Sequence, residues 1–146
     1  MRVINKHLLF FFMVIISLIY WINIIKEKDF DCLARLHTLD NVVGCERKSV
    51  FDIYLYMSPR GKGYIFVSGE WSCDNSLPKL SNGIMNFSYV KQGNFYSFKM
   101  QEKNPQLEEL LPIFKYRDIK LKVTEINSSH FIMSFPNETM MICTEN

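Results

Sequence analysis

The chain has 146 residues, with 17 Lys and Arg against 15 Asp and Glu. Two of the basic residues, Arg2 and Lys6, precede an uncharged apolar run at residues 8–25, so the 121 residues that follow, 26–146, carry 15 charges of each sign. A formally neutral region of that size suits one compact domain, and it lacks the basic excess that phosphate binding requires, which excludes nucleic acid as a partner.

The apolar run is mostly Leu, Ile, Phe and Val. As a helix its eighteen residues rise roughly 27 Å at about 1.5 Å each, close to the hydrocarbon thickness of a lipid bilayer. Its polar members are Ser17, Tyr20, Trp21 and Asn23, the last three crowded toward one end, where amphipathic rings suit the lipid-water interface. Arg2 and Lys6 lie on one side, while Lys26, Glu27, Lys28 and Asp29 on the other sum to zero, so the positive-inside bias puts Met1 in the cytoplasm. The expectation is a cytoplasmic tail at 1–7, a transmembrane signal anchor at 8–25 and an exported domain at 26–146. A cleaved signal has a shorter core followed by small residues, whereas this one ends in Ile24, Ile25 and Lys26, so the anchor is expected to stay. Val42-Val43-Gly44-Cys45 has some likeness to a lipobox, but it lies well beyond the apolar run instead of directly after it.

From Phe30 the period changes to two. Phe30, Cys32, Ala34 and Leu36 alternate with Asp31, Arg35 and His37, predicting a half-buried strand, and a polar loop is expected over 40–48. Phe51, Ile53, Leu55 and Met57 then alternate with Asp52, Tyr54 and Tyr56. Pro59, Gly61 and Gly63 supply a turn, so residues 64–71 fold back as a hairpin partner, with Gly69 marking a bulge or a close backbone approach. A polar connection at 73–82 leads to a strand over 83–91, where Met85, Phe87 and Tyr89 oppose Asn86 and Ser88. Gln92-Gly93-Asn94 turns the chain into 95–102, with Tyr96, Phe98 and Met100 on one face. Asn104-Pro105 reads as an N-cap and first-turn proline, predicting a short helix over 105–111 that Pro112 limits. Ile119, Leu121 and Val123 face away from Lys120, Lys122 and Thr124; Asn127-Ser128-Ser129 turns into 131–135, and Pro136-Asn137-Glu138 into 139–144.

The fold expected is therefore mainly β: about eight short antiparallel strands in meander order, enough to close into a small barrel, with one short helix. All four cysteines, Cys32, Cys45, Cys73 and Cys143, fall in the exported part, where an even count favours disulfides. In an up-and-down closed sheet the first and last strands are neighbours running oppositely, which brings Cys32 near Cys143. Cys45 and Cys73 flank one hairpin, so the expected pairing is 32 with 143 and 45 with 73.

Catalytic chemistry is not expected. No Gly-x-Ser-x-Gly elbow occurs, and His37 and His130 are the only exported histidines. Neither a metal site nor a cofactor is expected, since there is no Cys-x-x-Cys and no i, i+4 histidine pair. Glu108 and Glu109 complement a helix dipole. Asn86, Asn127 and Asn137 each begin an Asn-x-Ser/Thr triplet, with Asn86 mid-strand. The exported part holds 16 aromatic residues and six methionines, enough for a barrel core and, in the sharper reading, for the wall of an apolar ligand cavity or a partner surface.

A basic N-tail, one signal anchor, Phe30-Asp31-Cys32-Leu33-Ala34 opening the exported domain and Cys143-Thr144 closing it together resemble the FidL-like small membrane proteins of enteric bacteria, relatives of the ToxS and VtrC type. The resemblance covers the layout of the whole chain but few specific residues. It implies a single-pass protein of the bacterial inner membrane with a periplasmic, lipocalin-like domain. Such a protein is an accessory or sensor that complexes with a membrane-anchored winged-helix transcription regulator, in some members with a bile salt. It transfers no ligand-binding residue. The alternative is a structural envelope protein without a ligand.

Overall fold

The computed structural model describes all residues except 1–2, 26–28, 43, 75, 136–137 and 146, and describes no side chain at 3–7, 23–25 and 138–140. A helix, α1 (Val3–Ile25), covers the apolar run. Its described side chains, residues 8–22, are all exposed. Among the described residues no helix is long and apolar enough to cross a membrane; Asn23 and, of the charged residues flanking the run, all but Asp29 lie outside the described side chains.

Eight strands follow: β1 (Phe30–Val42), β2 (Cys45–Ser58), β3 (Lys62–Cys73), β4 (Lys79–Gln92), β5 (Phe95–Met100), β6 (Asp118–Asn127), β7 (His130–Phe135) and β8 (Glu138–Glu145). Each pairs antiparallel with its sequence neighbour, and β8 returns to β1, closing the barrel. The expected meander is therefore the fold. Alternation sets what faces inward: Phe51, Ile53, Leu55 and Met57 on β2, Met85 and Phe87 on β4, and Phe98 and Met100 on β5 are all buried. Burying such a side chain contributes about 1.5–3 kcal/mol, so this interior carries most of the favourable free energy of the domain. Eight strands leave a bore that side chains can fill.

Between β5 and β6 lies α2 (Pro105–Leu110), followed by a 3₁₀ turn, Pro112–Lys115. Asn104 caps the helix as expected, its side chain accepting from the Leu107 N–H at 3.3 Å. Pro112 does more than end the helix, since it begins the 3₁₀ turn. Leu107, Leu110, Leu111 and Phe114 are buried and cover one end of the barrel, the capped end. The opposite, open end holds the start of β1 and the β2–β3 and β4–β5 turns.

Two expected loops are shorter in the structure. Residues 40–48, read as a loop, belong to a hairpin in which β1 runs on to Val42 and β2 starts at Cys45. The inward positions there are polar: Asp40 stands opposite Arg47 in the register, and Arg47 Nη2 lies 3.2 Å from Asp40 Oδ2. An ion pair replaces an apolar pair, so the hydrophobic alternation fades while the strand continues. The connection expected at 73–82 likewise ends at Lys79, because β4 pairs with β3 as far as Trp71↔Lys79. Gly69 marks a close approach and no bulge: the β2–β3 register is unbroken, and a Cβ at Gly69 would lie 2.6 Å from Phe51 Cδ1. Strand β5 stops at Met100, short of Glu102. The turn expected at 136–138 lies mostly outside the described residues.

Both expected disulfides are formed, Cys32–Cys143 and Cys45–Cys73, with Cα separations of 5.5 and 5.4 Å.

Candidate functional site

Among the described residues the barrel interior leaves little room for a ligand. Its internal cavity, walled by Ile53, Leu55, Ile65, Phe98, Phe114 and Leu121 among others, amounts to about 20 Å³. That is space for about one water. The inward aromatics and methionines are core, and the 3₁₀ turn contributes Ile113 and Phe114 to the wall.

The larger opening is a cleft of about 610 Å³ at the open end, bounded by Phe30, Met57, Pro59, Arg60, Gly61, Tyr89, Val90, Lys91 and Tyr96. Three stretches of chain build it: the first residue of β1, the β2–β3 turn, and the β4–β5 hairpin. The turn is fixed to the hairpin by backbone and side chain. Gly61 N–H donates to the Ser58 carbonyl at 3.0 Å, Tyr89 N–H donates to the Gly61 carbonyl at 2.8 Å, and the Tyr89 hydroxyl donates to the Ser58 carbonyl at 2.7 Å. Gly61 has φ of +74°, a left-handed conformation that favours glycine. Aromatic rings lead from the core to this mouth: Phe87 and Phe98 centroids are 4.6 Å apart, Tyr89 and Tyr96 are 5.8 Å apart, and Lys91 Nζ sits 5.4 Å from the Tyr96 ring centroid. Phe30 meets Phe131 edge-on at 5.1 Å. The cleft thus joins apolar and ring surface to two cationic side chains, Arg60 and Lys91, with no carboxylate among the residues lining it. Its volume lies within the range of small-molecule sites, and its chemistry suits an anion with an apolar body.

Perturbed ionisations lie on the outer face of β1–β3 instead. The Arg35 guanidinium grips Asp52 at 2.7 and 2.8 Å, and this hydrogen-bonded pairing holds the Asp52 carboxyl below the usual carboxylate range. Tyr54 is pushed up by burial and then by Asp31, 3.3 Å from its hydroxyl; Tyr56 is pushed up by its 3.0 Å hydrogen bond to Asp29.

The two histidines do not meet. His37 points outward from β1, while His130 starts β7 at the open end. His130 Nδ1 lies 3.0 Å from both Ser129 Oγ and Asn127 Oδ1, and the Asn127 carboxamide also accepts from the Ser129 and His130 backbone N–H groups. That geometry makes Asn127 the cap of the β6–β7 turn. Glu108 lies in the first turn of α2, with its Oε1 buried and without a hydrogen-bond partner among the described residues. Asn86 is half-buried in mid-β4, and Asn137 lies outside the described residues. Among the described residues no three His, Cys, Asp or Glu side chains gather as metal ligands. The four cysteines are paired off as two staples and take no part in the cleft.

No motif in the sequence marks Arg60 or Lys91. Each looks like an ordinary turn residue, and only closure of the barrel brings their two turns to one mouth. Compared with known proteins, the chain matches no family model and no curated protein.

Proposed function

We propose that the chain is an accessory or sensor protein of the bacterial inner membrane, tethered by residues 8–25, with residues 1–7 in the cytoplasm and the lipocalin-like barrel in the periplasm. Its partner is a ToxR-like membrane-anchored winged-helix transcription regulator, whose folded state it binds and stabilises. An amphipathic anion such as a bile salt, seated in the cleft, adjusts that complex. The observation that carries this reading is the cleft itself, where Arg60 and Lys91 stand beside Phe30, Met57, Tyr89 and Tyr96. The two disulfides support an oxidising compartment, and the uncharged run in α1 supports the tether. Linkage supplies the mechanism: a ligand that binds the complex about a hundredfold more tightly than the free chain favours the complex by up to about 2.7 kcal/mol.

The test is calorimetric titration of the full chain, in lipid nanodiscs, with taurocholate, for the wild type and for Arg60→Ala with Lys91→Ala. Losing both cations weakens binding by about tenfold or more, since charge-assisted contacts are the strong ones. Co-purification with a ToxR-like winged-helix regulator should succeed and should tighten with taurocholate. Equal affinity of wild type and double variant, with no complex recovered, sinks the proposal. The filled interior favours a second reading, a structural envelope protein without a ligand; it requires that taurocholate give no heat and that no regulator co-purify.

A further inference from the structure

The open end of the barrel lies close to where the chain leaves α1. Five residue steps separate Ile25, the last residue of that helix, from Phe30, the first of β1. Fully extended, they reach at most about 18 Å. With residues 8–25 in the bilayer, the tether proposed above on which this inference rests, Phe30 stays within that distance of the hydrocarbon, and the headgroup layer fills about 5–8 Å of it. Strand β2, with 14 residues, puts the capped end about 35 Å away along the barrel axis. The field of an anionic membrane surface fades over about 8–10 Å at ordinary salt, so the open end comes within its reach and the capped end does not.

Charge is divided across that end. The stretches 58–63 and 90–96, which form the β2–β3 turn and the tip of the β4–β5 hairpin, contain Arg60, Lys62 and Lys91 and no Asp or Glu. All three cations are exposed, and among the described residues none is in an ion pair. The carboxylates of this end stand across the mouth: Asp29 and Asp31 at the start of β1, Glu125 on β6 and Glu145 on β8. Beside the cations two apolar side chains face solvent, Val90 at 61% exposure and Phe95 at 47%. They lie near the hairpin tip on paired strands, alternating with Tyr89 and Tyr96 of the cleft. The hydrogen bonds from Tyr89 to Gly61 and Ser58 join the two turns, so cations and apolar side chains are presented as one edge. Apolar side chains flanked by cations suit the boundary between lipid headgroups and acyl chains.

We infer that this edge, made by the β2–β3 turn and the β4–β5 hairpin, docks on the anionic lipid headgroups of the membrane that holds α1. Arg60, Lys62 and Lys91 meet phosphate oxygens, while Val90 and Phe95 enter the headgroup boundary. The same surface repels the carboxylates across the mouth, so the barrel leans with its β2–β5 side toward the lipid.

Lys62 and Phe95 do not line the cleft, so they test docking apart from ligand binding. The full chain is reconstituted in vesicles of phosphatidylethanolamine and phosphatidylglycerol whose headgroups carry a spin label. A fluorophore is attached through Asn94→Cys at the hairpin tip or through Glu109→Cys at the capped end. The spin label quenches the fluorophore at 94 and leaves that at 109 bright. Lys62→Glu with Phe95→Glu lowers the ratio of docked to undocked barrel about twentyfold or more, at about fivefold per unit of charge, and quenching at 94 falls with it. Vesicles of phosphatidylcholine alone remove the same quenching with Lys62 and Phe95 intact, so the result does not depend on how that variant folds. Equal quenching at 94 and 109, none at either, or quenching at 94 that survives the double variant or phosphatidylcholine overturns the inference. Alkaline carbonate extraction separates the two readings. Release of the chain shows that α1 is no tether and removes both, whereas retention with equal quenching removes the docking alone.

Discussion

Removing the Cys32–Cys143 bridge should harm this barrel more than removing Cys45–Cys73. The first joins residues 111 apart and the second residues 28 apart. Loop-closure entropy then puts their contributions at roughly 4.8 and 3.6 kcal/mol. Local structure pushes the same way, because Cys32 and Cys143 are fully buried and staple a seam of only two register pairs. The other bridge is half-buried and lies on a hairpin that pairs over its full length. Equilibrium urea unfolding of the double variants Cys32→Ala/Cys143→Ala and Cys45→Ala/Cys73→Ala measures both. At a slope of about 2 kcal/mol per M, the midpoints fall by about 2.4 and 1.8 M. A total stability of about 5–15 kcal/mol leaves the first variant marginal. If the second variant is the less stable of the two, the loop-closure reasoning and the weak seam are both refuted.

Three further outcomes follow from the same structure. Phe87→Ala removes a fully buried ring and should cost about 3–5 kcal/mol in urea unfolding, whereas Phe95→Ala, at an exposed position, should stay within about 0.5 kcal/mol. Gly69→Ala drives a Cβ into the Phe51 ring and the β2 backbone, so a loss of about 1–3 kcal/mol is expected; an unchanged midpoint would show that the two strands can separate there at no cost. The Asp52 carboxyl is held low by Arg35, so its contribution is present above the ordinary carboxylate range and is lost as pH falls through the folded value. Asp52→Asn should therefore lower the thermal midpoint slightly at neutral pH, with the gap to wild type closing in acid; as both side chains are largely solvated, a large gap at neutral pH would contradict this.

The strand faces were legible because apolar residues recur with period two wherever the barrel interior is dry. The run from Phe51 to Met57 and the pair Met85 and Phe87 are examples, and their turns carry Gly61 and Gly93. From strand order alone, the cysteines' pairing followed. The far half of the β1–β2 hairpin was not legible, because Thr38, Asp40, Arg47 and Ser49 occupy inward positions and erase the contrast between faces. An ion pair between residues seven apart leaves no periodic trace. The cleft was hidden for another reason. Arg60 and Lys91 are brought to one mouth by β3 pairing with β4, a relation between turns that no spacing within either one records.

The placement of the two bridges also imposes an order on how the protein is made. A chain emerges N-terminus first. Cys45 and Cys73 can be oxidised as soon as the first three strands exist, whereas Cys32 must wait for Cys143, 111 residues further along the chain. Throughout that interval Cys32 is a thiol with Cys45 and Cys73 already within reach, and thiolate attack on their bridge would scramble it. Early completion of the β1–β2–β3 meander holds Cys45 and Cys73 at the capped end and Cys32 near the other. Rapid local pairing therefore guards the correct connectivity until β8 arrives.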